Sequence, residues 1–274
     1  MLADIEDGTA AATRLAGGAP LHSTLEVANP ADWLALDAGV REVAWYRPQF
    51  LHSAPVLADP TQLSESRLAV ALCHRDGRIR QEAVRQSVRY PALLPLVVIR
   101  CADWAGPVRE HARQLLREAL NVDSALGLAP LILHVGRRDR GAFGVDVLGQ
   151  ILRRASPGQL AVLFAAPDRI VRRFAYRLAI KSRLLGPAEL ARAAARDPDT
   201  VVQDLCATAA LTALGGEAAY EDVLPPLSCR QLEVPGQRAG VIGPPGTRAG
   251  RGRESAEKIV CQHGWVEEKR EAAA

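Results

Sequence analysis

Four cations stand four residues apart at Arg169, Arg173, Arg177 and Lys181. That spacing puts them on one side of a helix, where each like-charged pair costs about 0.2–0.5 kcal/mol. Such a stripe can hold a phosphate backbone or an acidic protein, or it can be a solvated helix face. Other chemistry is poorly provided for. The six His (His22, His52, His74, His111, His134 and His263) include no i, i+4 pair and none joins a Cys in a ligand pattern. Cys73 and His74 are neighbours in sequence, so on a helix their side chains point about 100° apart. There is no Gly-x-Ser-x-Gly. The glycine-rich run from Gly240 to Arg248 lacks the Gly-Lys-Ser/Thr ending of a phosphate loop. No catalytic residue, metal or cofactor is expected from these patterns.

The stripe lies on a stretch with a second, finer pattern. Asp168, Val171, Arg172 and Ala175 read Asp-x-x-Val-Arg-x-x-Ala. Asp168 suits a helix N-cap, where its carboxylate accepts orphan backbone N–H groups. Val171, Phe174, Ala175 and Leu178 then form an apolar stripe at steps of three and four. Arg172 sits near the helix start, within reach of an aspartate in a neighbouring unit.

The same spacing recurs. Asp37, Val40, Arg41 and Ala44 match it in full; Asp76, Ile79, Arg80 and Ala83 match it with Ile for Val. Val108, Arg109 and Ala112 match in part, with Asp103 two residues early, which predicts a longer turn there. Asp199, Val202, Gln203 and Cys206 keep the spacing with two replacements. The Val positions are 39, 29, 63 and 31 residues apart. The double-length gap leaves room for a degenerate unit, with Leu131–Leu133 on a leading helix and Val145–Leu152 on a trailing one. Helix pairs at roughly this period stack into solenoids.

This motif on the second helix of a pair resembles the HEAT repeat, especially its short bacterial form, across roughly residues 32–216. The resemblance implies an all-α, right-handed α-solenoid of about five to six antiparallel helix pairs. It also implies a ladder made by Asp37, Arg41, Asp76, Arg80, Arg109, Asp168, Arg172 and Asp199. Di-iron hydroxylases on similar repeats carry repeated His-Glu pairs, whereas here only a reversed Glu110-His111 occurs. DNA glycosylases on HEAT-like repeats need a basic concave face, aromatics and a carboxylate. Trp33, Trp45, Trp104 and Tyr176 with Asp168 or Asp139 could supply these, although no spacing binds them into one site.

Composition agrees with packed helices. Apolar residues make up 48% of the 274, mostly Ala, Leu and Val, and aromatics only 4%. Net charge is +3 but uneven: residues 1–66 hold 3 Arg against 9 acids, while 67–227 hold 23 basic against 16 acidic residues. A body polarised in this way can orient on an acidic partner. Cys73, Cys101, Cys206, Cys229 and Cys261 form no Cys-x-x-Cys, which points to free thiols in a reducing compartment. Asp4, Glu6 and Asp7 at the start argue against a secretory signal, and no run approaches the ~20 apolar residues of a membrane span.

The expected organisation is a loose arm over 1–30, helical repeats over 31–227 and a disordered, low-complexity tail over 228–274. The expected role is a cytoplasmic, non-catalytic scaffold or adaptor. Its partner would be an acidic protein bound at Arg169, Arg173, Arg177 and Lys181, or alternatively nucleic acid on the same face.

Overall fold

The computed structural model describes residues 2–46 and 63–215, all within one compact unit spanning 1–226. The expected tail, and the connection holding Pro48, Pro55 and Pro60, lie outside the described residues. Twelve α-helices form the chain described, with no strand among these residues: α1 Leu2–Ala16, α2 Pro30–Tyr46, α3 Glu65–Leu72, α4 Gly77–Gln86, α5 Leu94–Arg100 and α6 Gly106–Ala119, then α7 Val122–Val135, α8 Ala142–Leu152, α9 Pro157–Phe164, α10 Arg169–Lys181, α11 Pro187–Arg196 and α12 Thr200–Leu214. The protein is all-α.

Each helix start has a local cause. Ser64, Asp76, Asn121, Ser156, Asp168 and Asp199 each accept a backbone N–H of the helix that follows. Pro157 and Pro187 begin α9 and α11, where a missing N–H costs nothing. Gly215 ends α12 at φ 85°, a conformation open to glycine.

Successive helices touch as pairs: α1 with α2, α3 with α4, and so on to α11 with α12. First helices also meet across pairs (α1–α3, α3–α5, α5–α7, α7–α9), as do second helices (α4–α6, α6–α8, α10–α12). The apolar stripes fill the space between them. Val40, Val108, Val171 and Val202 are each under 5% exposed, and Leu68, Leu72, Leu96, Leu116 and Leu148 are fully buried. Each such leucine contributes about 1.5–3 kcal/mol.

Residues 1–30 are not a loose arm. α1 packs on α2, and Leu15 is fully buried. The helices approach backbone to backbone: a Cβ on Gly39 would strike the main chain of Gly8, and one on Gly8 the carbonyl of Ala35. An apolar stripe is not needed where glycine allows so close a crossing.

The Asp37 copy is not a cap. Asp37 lies seven residues inside α2, which starts at Pro30 with the Asn29 side chain accepting the Ala31 N–H. Accordingly α2 does not follow the second-helix row; it lies against α5 and α7. There Asp37 forms a buried ion pair with Arg100 and a 3.3 Å pair with Arg41 one turn on.

Three inter-helix turns are fastened identically, and a fourth in part. Arg80 Nη1 donates to the carbonyls of His74 and Arg75, at 2.8 Å each. Arg109 Nη1 reaches Asp103 and Trp104 at the same offsets, and Arg172 Nη1 reaches Ala166 and Pro167. Gln203 Nε2 replaces the guanidinium at the carbonyl of Asp197. The residue six before each of these has its own task in three turns. His74 Nδ1, Asp103 Oδ1 and Asp197 Oδ1 each accept the N–H two residues on. Asp103 is thus not a displaced cap, but its turn is longer as expected: five residues separate α5 from α6 and four separate α3 from α4, while Arg80 and Arg109 reach back over equal offsets.

These aspartates also join pairs to each other. Arg80 binds Asp103 through two bonds of 2.8 and 2.7 Å, both side chains fully buried. Arg172 Nε binds Asp197 at 3.1 Å. Across the degenerate unit Arg113 substitutes, donating to the carbonyls of Cys101 and Arg140. Burial alone pushes the Asp103 carboxyl up, but the Arg80 hydrogen bond and the Arg100 charge outweigh it and hold the group below its ordinary value. Breaking a buried pair strands its partner, which costs about 3–5 kcal/mol. Arg80→Met should therefore destabilise the fold by about that amount in chemical denaturation, whereas Arg78→Met, changing an exposed neighbour, should leave stability within about 0.5 kcal/mol.

Candidate functional site

The cationic stripe on α10 divides on inspection. Arg169, Arg177 and Lys181 are exposed and make no ion pair among the described residues. Arg173 does not stand free with them. Its Nε and Nη2 bind the Asp199 carboxylate at 2.6 and 2.8 Å, across to the start of α12. The spacing alone gave no warning, because the partner is 26 residues away.

The remaining ladder residues have structural partners. Asp76 and Asp168 accept from Arg78 N and Ile170 N at 2.8 Å. Asp199 accepts from Val201 N while binding Arg173. A continuous chain runs Arg41–Asp37–Arg100–Asp103–Arg80, buried except at its partly exposed Arg41 end. It holds three cations to two carboxylates, and Arg41 Nε and Arg100 Nε are buried without an acceptor. Beside it, burial and the Asp37 charge push the Cys73 thiol well up, so it is an inert packed thiol. Burial also raises Cys101 to about 12 and Cys206 to about 11.

The aromatic residues do not converge. Trp33 is core, 1% exposed, with Nε1 donating to the Val27 carbonyl. Trp104 lies on the α5–α6 turn, 65% exposed, under the Arg80 guanidinium at 5.5 Å. The side chain of Trp45 lies outside the described residues. No group of three or more His, Cys, Asp or Glu is placed to hold a metal among the described residues. His74 is buried, and burial lowers its pKa, consistent with a neutral ring whose Nδ1 accepts.

What the stacking of the last two pairs does create is a cleft of about 560 Å³. The α9–α10 turn contributes Phe164 to Pro167, α10 contributes Arg172 and Tyr176, and one face of α11 contributes Glu189, Arg192, Ala193 and Arg196. Phe164 and Tyr176 stack with centroids 4.6 Å apart. Of the residues weighed for base excision, only Tyr176 lines this cleft; Trp33, Trp104, Asp139 and Asp168 do not. Of the two carboxylates present, Asp197 is held by Arg172 and by the Asp199 N–H, and Glu189 accepts the Gly186 N–H. Residues such as Arg192 and Arg196 carried no motif, and only the i, i+4 spacing on α11 could have suggested a shared face.

The Asp199 carboxyl is held down to about 2, first by the Arg173 hydrogen bond. A depressed carboxyl stabilises the fold above its unfolded pKa, near 4, and ceases to do so as pH falls through the folded value. Arg173→Met should therefore melt below the parent protein at neutral pH. The difference should stay constant down to about pH 5 and shrink between about 4 and 2, as followed by circular dichroism. Comparison of the sequence with family models and curated proteins, and of the fold with solved structures, returns no significant match.

Proposed function

We propose that this chain is a non-catalytic scaffold. In this reading, antiparallel helix pairs of HEAT-like type stack into a right-handed α-solenoid whose curved surface engages a protein partner. The observation that carries the reading is the recurrence of one turn fastening at Arg80, Arg109, Arg172 and Gln203. A device repeated in four of the six pairs described supports a stack of related units, and such stacks serve mainly as binding surface. Asp76, Asp103, Asp168 and Asp197 are engaged in capping and in holding pairs together. Three buried free thiols, Cys73, Cys101 and Cys206, favour a reducing compartment such as the cytoplasm.

The contact surface proposed is the outward side of α10 at Arg169, Arg177 and Lys181, with an acidic protein as partner. Arg173 belongs instead to the fastening between pairs. No helix among the described residues is long and apolar enough to cross a membrane. The triple substitution Arg169→Glu, Arg177→Glu and Lys181→Glu should abolish retention of the partner in pull-downs from the source cells, with an unchanged circular dichroism spectrum. Retention by the triple variant would remove this surface. Binding of a generic DNA duplex that falls steeply as salt rises would instead make the partner a nucleic acid.

A further inference from the structure

The cleft over Tyr176 has features that the stacking of helices does not require. Tyr176 is 8% exposed, yet its hydroxyl makes no hydrogen bond among the described residues. The ring is buried but the oxygen itself still reaches solvent, so it is open to a ligand. Arg192 and Arg196, one turn apart on α11, are exposed at the cleft and make no ion pair among the described residues either. The two negative groups of the lining are already engaged. Glu189 accepts the Gly186 N–H at 2.8 Å, and Asp197 holds Arg172. The groups here with no partner within the protein are thus two solvated cations and one hydroxyl, beside an aromatic pair.

We propose that this cleft binds a short acidic segment of a partner protein in extended conformation, with carboxylates on Arg192 and Arg196 and apolar side chains on the Phe164–Tyr176 stack. The proposal deepens the scaffold reading and rests on it. Spacing supports the extended form. Residues four apart on a helix have side chains roughly 5–6 Å apart, and alternate residues of a strand are separated by about 6.6 Å. Two acidic residues flanking one apolar residue can therefore reach both guanidinium groups. The intervening side chain is turned to the other face of the segment. The volume lies within the range of small binding sites, about 300–1,000 Å³. A nucleic-acid strand fits less well. The mutual stacking of Phe164 and Tyr176 leaves little ring face for a base.

The test uses the full chain and three fluorescein-labelled probes in polarisation titrations: a hexapeptide of alternating glutamate and valine, its lysine–valine counterpart, and hexathymidylate. The acidic peptide should bind saturably, and the lysine peptide should not. Arg192→Glu with Arg196→Glu should weaken binding about tenfold or more, as expected for two surface ion pairs reversed. Tyr176→Phe, which keeps the ring, should weaken it about threefold if the hydroxyl donates. Absence of saturable binding, equal binding by the Arg192/Arg196 double variant, or hexathymidylate binding as tightly as the acidic peptide would overturn the proposal. The two readings fail separately. If the α10 triple variant loses its pull-down partner while the acidic peptide fails to bind, the cleft assignment falls and the scaffold stands. If the peptide binds but the triple variant keeps its partner, only the α10 surface falls.

Discussion

Every turn between two packed helices leaves carbonyl oxygens near the protein interior that neither helix can satisfy. A single guanidinium placed on the following helix answers that constraint here. Arg80 and Arg172 each turn back to two carbonyls of their own turn and spend the rest of the fork on the next pair's aspartate. Arginine suits the task because it offers five donors in a rigid plane and does not lose its charge on burial. Closing one's own turn and gripping the neighbour are then the same act. Where the guanidinium is absent, at Gln203, the turn is still closed, and the ion pair to the preceding pair is made by Asp199 with Arg173.

This explains which parts of the fold could be read from residue types and spacing. The caps at Asp76, Asp168 and Asp199, and the buried stripe through Val171, depend on positions within one turn of a helix, so local spacing reveals them. Asp37 shows the limit. Its spacing to Val40 and Arg41 is a property of a helix face and is equally compatible with a helix interior. What distinguishes the two is the partner, Arg100, 63 residues away. Asp103 was misread for a similar reason, since its role is set by Arg80 in the preceding pair. Residues 1–30 looked unstructured because small residues carry no stripe, yet small residues are what permit Gly8 and Gly39 to meet.

The candidate binding surfaces were legible to different degrees. The α10 cations lie on one helix and announce themselves, although Arg173 had to be removed from the set once Asp199 was seen beside it. The cleft has no linear signature at all. Its lining comes from three helices and the three turns that follow them, residues far apart in the sequence. In both places cations remain without an ion pair among the described residues after the internal pairs are made, and the proposed acidic partner would bind there. Two such surfaces near one another would let a single partner bind at both, so that weak individual contacts reinforce each other.

The placement of α2 has a consequence for how the molecule comes apart. A stack coupled only between nearest neighbours can fray one unit at a time. Here α2 acts as a strut across α5 and α7, locked by the ion pair from Asp37 to Arg100. The first, third and fourth pairs are thereby linked directly, which favours their opening together. The last pair has no such brace and is fastened chiefly through α10. Local unfolding under native conditions therefore starts there, so that the segment carrying Arg192 and Arg196 should exchange its amide hydrogens well before the braced pairs do.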